Sequence, residues 1–156
     1  MIAGMGFGSS ASGSSKKSDV KPSSGLATMA KRYVGESEDK LNDSGLRNKI
    51  IDHDMNSQAF ALTLRRAAEE SKKSNQGPSA ASSIFKYYGT EHNKLRYEIM
   101  LEAMGTKALG WEGAEFGPEE LAITREWLRT KANSIEGGTS EVQLNVISKR
   151  VLELPQ

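Results

Sequence analysis

A short Gln76-Gly77-Pro78 interruption between two long helical stretches constrains the fold of this chain more than any other feature. Apolar residues recur at helical spacing on both sides of it, and no stretch alternates with the period that a confident strand needs. We predict one helix over about 44–74 and the next over about 78–104, because proline is well accepted at the first position of a helix. Two long helices joined by so short a loop must pack antiparallel.

Three shorter helices complete the prediction: one over 26–33, one opening at Pro118, and a last one beginning at Thr139 or Ser140. We therefore predict an all-α fold, an antiparallel four-helix bundle made by the two long helices and the last two. Buried positions are expected along one face of each long helix. They are Leu46, Ile50, Met55, Leu62 and Leu64 on the first, and Ile84, Tyr88, Leu95 and Ile99 on the second.

The N-terminal quarter differs in composition from the rest of the chain. Glycine, serine and lysine dominate residues 8–24, and such a segment has a high ordering cost and little to bury. An engineered linker is the alternative interpretation of that segment, against which residues 1–7 have the apolar, glycine-containing character of the end of a helix. We predict a flexible segment over 1–24 and one helical domain over 25–156 of the 156 residues.

Charge and cysteine usage exclude several classes of function. The formal net charge is +1, from 21 basic and 20 acidic side chains, so no nucleic-acid partner is expected. The absence of cysteine excludes disulfides and thiol nucleophiles. His53 and His92 lie on different predicted helices with no second ligand one turn away, so we predict no metal site. Without a membrane-length apolar run or a signal peptide, we predict a cytoplasmic protein with no membrane partner.

The segment 134–150 carries the clearest functional pattern. Gly137 and Gly138 precede Thr139 and Ser140, and apolar residues then follow at helical spacing. The free N–H groups and positive dipole end of such a helix suit a phosphate or another anion. Ser140 and Gln143 fit the capping-box pattern, in which two side chains satisfy backbone donors reciprocally. A plain structural turn is the alternative interpretation.

This segment resembles the C-terminal signature of the acyl-CoA dehydrogenases, which are FAD-dependent enzymes. The matching residues are Gly138-Thr139-Ser140, an upstream Arg129, Lys149-Arg150-Val151-Leu152 and the final Leu154-Pro155. The resemblance extends over roughly residues 22–156. It implies the all-α C-terminal domain of that family, dehydrogenation of an acyl-CoA thioester between its α and β carbons, and a dimer or tetramer formed through the helical domain.

The resemblance also implies a set of cofactor-binding residues for the full enzyme. Arg129, Gly138, Thr139 and Glu141 would serve FAD, with Thr139 and Glu141 near its pyrophosphate. Many relatives have Gln where this chain has Glu141, and a carboxylate next to a phosphate is repulsive. Gly105 is the one residue that matches the family's Gln-x-x-Gly-Gly loop, which meets the adenine half of FAD from the neighbouring subunit.

Glu136 is the candidate catalytic base within the chain. Many family members place their Glu directly before Gly-Thr, whereas Glu136 lies one residue further upstream, about 3.8 Å along the chain. Another branch takes its Glu from an earlier helix, just before an Arg and an apolar glycine-rich segment, which residues 1–6 resemble. On that interpretation the base lies upstream, the chain is the C-terminal piece of a larger enzyme, and it is inactive alone.

Two further interpretations remain. The chain could be a non-catalytic helical subunit that pairs with a partner supplying the flavin and acyl-CoA domains, since Gly137 occupies the usual position of the base. In agreement with this, the family's Arg-x-x-Phe-Gly cofactor motif has no clear match in residues 26–45. The third interpretation is a complete small enzyme with Glu136 as its base.

Overall fold

The structure, a computed structural model, describes residues 25–74 and 82–155. Its five α-helices are α1 Gly25–Val34, α2 Ser44–Ser74, α3 Ser82–Met104, α4 Pro118–Asn133 and α5 Ser140–Val146. The all-α prediction is confirmed, and the predicted bounds of the first long helix agree with those of α2. The predicted flexible segment 1–24, the Gly-Pro loop and the predicted helix start at residue 78 lie outside the described residues.

A small hairpin, which the sequence analysis did not predict, turns the chain from α1 into α2. Its strands are β1 Glu36–Ser37 and β2 Lys40–Leu41, paired antiparallel with Glu36 opposite Leu41. Two residues per strand are too few to produce a readable alternation. Glu38 and Asp39 between them both have positive φ, at 50° and 59°, as the tightest hairpin turns require. Asp43 then begins α2, because its Oδ1 accepts a hydrogen bond from the Leu46 N–H at 2.9 Å.

α3 is the central helix and contacts α1, α2, α4 and α5. The core lies where its C-terminal half meets α1 and the first turns of α2. The core residues come from all three helices and from β2, and they are Leu26, Ala30, Leu41, Leu46, Ile50, Ile99 and Ala103. The predicted burial of Leu46, Ile50 and Ile99 is thus confirmed.

The other predicted buried positions on the long helices are wrong, apart from the half-buried Tyr88. On α2, Met55 and Leu62 are 64% and 56% exposed, and Leu64 is also exposed. On α3, Ile84 and Leu95 are exposed as well. α1 has only 10 residues and its buried residues pack against the first turns of α2, so the apolar positions further along α2 remain uncovered on one side.

α2 and α3 run antiparallel, as predicted. Lys49 pairs with Glu102 at 2.7 Å near one end, and the Phe60 ring meets the Tyr88 ring at a centroid distance of 5.0 Å near the other. In this register Ser82, the first described residue of α3, is roughly level with Arg66 of α2. Residues 67–74 of α2 therefore extend past the described part of α3.

Two histidines meet between α2 and α3. The rings of His53 and His92 stack with centroids 4.0 Å apart and planes 6° from parallel. The Ser57 hydroxyl lies 2.7 Å from His92 Nε2 and 3.5 Å from His53 Nδ1. His53 is only 3% exposed. Within the described ranges, no group of three or more His, Cys, Asp and Glu residues could hold a metal ion.

This stacked pair predicts a loss of stability in mild acid. Burial, and then the neighbouring His53, lower the pKa of His92 below its ordinary value of 6.5, while Asp54 opposes the shift. A histidine whose folded pKa is depressed stabilises the fold fully above its unfolded pKa. That contribution is lost as the pH falls through about 6.5 and below.

The midpoint temperature of thermal unfolding should therefore fall as the pH is lowered from about 7.5 to about 5. This range lies above the ordinary pKa of carboxylates, so their protonation does not account for the fall. Tyr88, Asn93 and Arg96 are the other polar or charged residues nearby on α3. His92→Gln should reduce the slope. A midpoint that stays constant or rises as the pH falls would contradict this role for His92.

The chain ends in a wider helical turn. α5 has only seven residues and passes directly into a π-helical turn over Ile147–Val151, closed by the Leu152 N–H on the Ile147 carbonyl at 2.9 Å. Val142 and Leu144 on α5 are half exposed. Among the described helices, none combines the length and apolar character that a membrane crossing requires.

Candidate functional site

The turn between α4 and α5 brings most of the predicted site residues together. Gly137 and Gly138 both have positive φ, at 66° and 101°, a conformation that side chains disfavour. The carbonyl of Gly138 accepts a hydrogen bond from Lys86 Nζ of α3 at 2.6 Å. The glycine pair thus folds the turn back so that it contacts the central helix.

Thr139, and not Ser140, caps α5. Its Oγ1 accepts a hydrogen bond from the Val142 N–H at 3.2 Å. The predicted capping box of Ser140 and Gln143 is wrong, because both side chains bond elsewhere. The Ser140 hydroxyl donates to Glu91 Oε1 at 3.1 Å, and Gln143 Nε2 donates to the Gly137 carbonyl at 3.1 Å. α5 still begins at Ser140, within the predicted start, with Thr139 as its N-cap.

Three of the first N–H groups of α5 have hydrogen-bond partners inside the chain. The N–H of Ser140 donates to the Ser134 carbonyl at 3.0 Å, and that of Gln143 donates to the Thr139 carbonyl at 2.9 Å. The N–H of Val142 donates to Thr139 Oγ1 at 3.2 Å. The turn before α5 therefore satisfies much of the helix start.

The carboxylate of Glu141 is held in its charged form at this helix end. The hydrogen bond from its own N–H, and then the one from the Thr139 hydroxyl, lower the pKa of Glu141. A fixed negative charge at a helix N-terminus is favourable because it faces the positive end of the helix dipole. Glu141 is thus a favourable acidic residue in the first turn of α5.

Glu91 of α3 fastens both ends of the turn. Its Oε1 accepts hydrogen bonds from the Ser134 and Ser140 hydroxyls, each at 3.1 Å, and its Oε2 lies 2.7 Å from Lys94 Nζ. Burial alone would raise the pKa of Glu91, but the bonds from Lys94, Ser134 and Ser140 together lower it. Sequence reasoning missed Glu91, since nothing in its local pattern points to residues more than 40 positions away.

A cleft of about 390 Å³ lies beside the turn. Tyr87, Ile135 and Leu144 line its apolar part. Its charged lining consists of the carboxylates of Glu91 and Glu141 and the ammonium group of Lys94, which already pairs with Glu91. Ser134, Thr139 and Ser140 add hydroxyls, so the lining is part apolar and part polar, with a net negative charge.

The structure also brings Arg129 and Glu136 together, on the outer side of the turn. Arg129 Nη2 lies 3.2 Å from Glu136 Oε2, and both side chains are more than half exposed. Asn133 donates a second hydrogen bond to the Glu136 carboxylate. The bond from Asn133, and then the one from Arg129, lower the pKa of Glu136. A lowered pKa and contact with water both weaken a carboxylate as a base.

Gly105 lies apart from the turn. It ends α3 with φ of 57° and opens a 3₁₀-helix over Gly105–Leu109. Glu91 lies 14 positions earlier on the same helix, about 21 Å away at the helical rise per residue. The structure does not bring Gly105 to the predicted site. Within one chain, Gly105 and the turn before α5 are therefore too far apart to contact the same part of a cofactor.

The fold and the turn define a helical domain in which a central helix holds a Gly-Gly-Thr turn at the start of the final helix. Residues 25–152 match the family model described as acyl-CoA dehydrogenase, C-terminal domain. This chain belongs to the acyl-CoA dehydrogenase family. Among curated proteins, none matched the chain.

The crystal structure of the ChsE4-ChsE5 complex from Mycobacterium tuberculosis has a similar fold. The TM-score is 0.59 and the sequence identity is 24%. The similarity covers 84% of this chain but 34% of that chain, so the present chain spans about a third of its length.

The family implies FAD, and the residues of the turn fit its pyrophosphate poorly. A helix N-terminus binds phosphate through unbonded N–H groups, and those of Ser140, Val142 and Gln143 at the start of α5 already have partners. Glu141 adds a negative charge where a phosphate would add another. The guanidinium of Arg129 is paired with Glu136.

Proposed function

We propose that this chain is the C-terminal helical domain of an FAD-dependent acyl-CoA dehydrogenase that oxidises an acyl-CoA thioester between its α and β carbons. The match of residues 25–152 to the C-terminal domain of that family supports this most directly. FAD, when bound, would accept a hydride from the substrate while a carboxylate removes the α proton. We assign this role to residues 25–156, as a unit separate from segment 1–24.

The proposed role of the chain is to form the helical domain of a homo-oligomeric enzyme and to provide the contacts between its subunits. α3 contacts four other helices, and Lys86 and Glu91 on it fix the turn before α5. We propose that the isolated chain has no dehydrogenase activity, because its one candidate base, Glu136, is paired and open to water. A base for this reaction needs a drier position and a pKa closer to neutrality.

A non-catalytic helical subunit is the second candidate function. In that case a partner protein would supply the flavin and acyl-CoA domains. The three bonded N–H groups at the start of α5 and the ion pair of Arg129 with Glu136 favour this candidate, because few groups of the turn remain for a cofactor. The solved structure with a similar fold is likewise described as a complex of two proteins.

The test is a comparison of the purified chain with the assembly that it forms in its own cells. After incubation with FAD and gel filtration, the chain alone should be colourless and should not reduce an electron-acceptor dye with acyl-CoA. The native assembly should carry a flavin absorbance band and reduce the dye. A native assembly without flavin or acyl-CoA-dependent reduction would contradict the proposal. A flavin-containing second polypeptide would favour the second candidate.

Glu136→Gln should leave the acyl-CoA-dependent rate of the active assembly within about threefold of wild type, since a base contributes about 10²-fold or more. Glu126→Gln, which changes an exposed glutamate on α4, is the matched control. A loss of 10²-fold or more for Glu136→Gln alone would identify Glu136 as the base. It would then support the complete small enzyme.

A further inference from the structure

We propose that a second cleft, between α2 and α3, binds the carboxylate of a small organic acid, with Arg96 and Asn93 as its main hydrogen-bond donors. This cleft has a volume of about 460 Å³, which lies within the range of small-molecule sites in proteins. Two glycines and five polar or charged residues line it. It opens on a different face of α3 from Glu91, away from the turn before α5.

Arg96 supplies the positive charge of this cleft. Its side chain is partly buried, and within residues 25–74 and 82–155 it has no hydrogen-bond or ion-pair partner. The residues one turn away from it on α3 carry no carboxylate, since they are His92, Asn93, Ile99 and Met100. No carboxylate lines the described part of the cleft either. A partly buried charge is costly unless it is paired, so the guanidinium is available to an anion from outside the chain.

Two neutral groups lie beside the guanidinium. Asn93 is partly buried, and its amide has no hydrogen bond to any described residue. Ser57 lies 2.7 Å from His92 Nε2, which leaves Nδ1 as the nitrogen of that ring without a partner among the described residues. The His92 ring stacks on the rings of His53 and Tyr88, which hold it in place. The cleft therefore offers hydrogen-bonding groups on a fixed wall.

A buried nitrogen in the lining is a second, independent indication of a missing polar partner. His53 lines the cleft, is 3% exposed, and its Nε2 atom is buried with no hydrogen bond in the described structure. Buried polar atoms in folded proteins nearly always have a partner. Together with the unpaired Arg96, this atom indicates that the cleft is built to hold a polar ligand.

The charges and shape of the cleft favour a carboxylate over a phosphate. The planar guanidinium of arginine matches a carboxylate with two parallel hydrogen bonds, and one guanidinium balances one negative charge. Asp54 lies 3.7 Å from His53 Nδ1, outside the lining, and it would repel a doubly charged phosphate more strongly than a carboxylate. The apolar part of a small acid has room beside Gly25, where an added Cβ would meet no heavy atom within 4 Å.

The experiment is a titration of the isotope-labelled full chain with sodium butyrate at constant ionic strength. The backbone amides of residues 92–96 and the Arg96 guanidinium signal should shift saturably, with a millimolar dissociation constant. Butyramide, a neutral analogue of the same shape, should bind at least about tenfold more weakly, because it lacks the charge-assisted hydrogen bonds. Inorganic phosphate should also bind more weakly than butyrate.

Variants of Arg96 test the assignment. Arg96→Gln should weaken butyrate binding at least about tenfold, and Arg96→Lys should lose less, because it keeps the charge without the planar fork. Arg47→Gln changes another partly buried arginine, which lies outside the cleft, and should bind butyrate as the wild type does. The dispersion of the amide signals shows whether each variant is folded.

Any one of four results would overturn the proposal. They are the absence of a saturable shift at tens of millimolar butyrate, equal affinities for butyrate and butyramide, tighter binding of phosphate than of butyrate, and an unchanged affinity in folded Arg96→Gln. If Arg96→Gln does not fold, the comparison of the three ligands on the wild-type chain still decides. Neither flavin nor acyl-CoA enters these measurements, so a negative result leaves the proposed function standing.

Discussion

Replacing Ile99 by alanine should lower the free energy of unfolding by about 2–5 kcal/mol. Ile99 is 2% exposed and lies in the core that α3 shares with α1 and α2. The substitution removes buried methyl groups and leaves a cavity between three helices, which can close only in part. Urea unfolding followed by circular dichroism measures the loss.

Ile84→Ala is the matched control, because it makes the same chemical change on the same helix. Ile84 is 37% exposed and lies away from the core cluster. Its removal should cost about 1 kcal/mol or less, since part of the side chain already meets water. Equal losses at the two positions would mean that the core extends along all of α3, contrary to the described packing.

Gly138→Ala should cost about 1–3 kcal/mol and should disturb the turn before α5. The φ angle of Gly138 is 101°, which a side chain disfavours, and an added Cβ would come within 2.7 Å of Gln143 Nε2. The variant therefore combines backbone strain with displacement of the Gln143 side chain, which would lose its hydrogen bond to the Gly137 carbonyl. Thermal unfolding measures the cost, and the amide signals of residues 137–143 report the disturbance.

A substitution of the neighbouring Gly137 separates the cost of the backbone conformation from the cost of the contact with Gln143. Gly137 also has positive φ, at 66°, but an added Cβ would meet no heavy atom within 4 Å. Gly137→Ala should therefore cost only about 1 kcal/mol, from the backbone conformation alone. A larger loss at Gly137 than at Gly138 would show that the contact with Gln143 does not constrain the turn.

The helices could be predicted from the sequence because their signals are local. At the start of α2, the Asp43 side chain accepts a hydrogen bond from the Leu46 N–H, only three residues further along the chain. The end of α4 is marked by the glycine pair that follows it. Burial along α2 could not be predicted in the same way. Met55 and Leu62 have the spacing of a buried face, but burial also requires a covering helix, and α1 is too short to provide one.

The candidate site, too, could be predicted from the sequence only where its signal is local. The Gly-Gly-Thr turn and the family could be identified from a few adjacent residues. The capping residue was misplaced by one position, because the choice between Thr139 and Ser140 depends on a hydrogen bond to Glu91, 49 positions away along the chain. The stacking of His53 on His92 likewise depends on the register between two helices, which no local pattern sets.

The extension of α2 past the described start of α3 has a consequence for local opening. Its 31 residues span about 46 Å, and its last turns are supported by exposed pairs such as Arg66 with Glu70, each worth a few tenths of a kcal/mol. Backbone amides near Leu46 and Ile50 should exchange their hydrogens only when the whole domain unfolds. Amides towards Ser74 should exchange through fraying of the helix end, so that protection from deuterium falls steadily along one continuous helix.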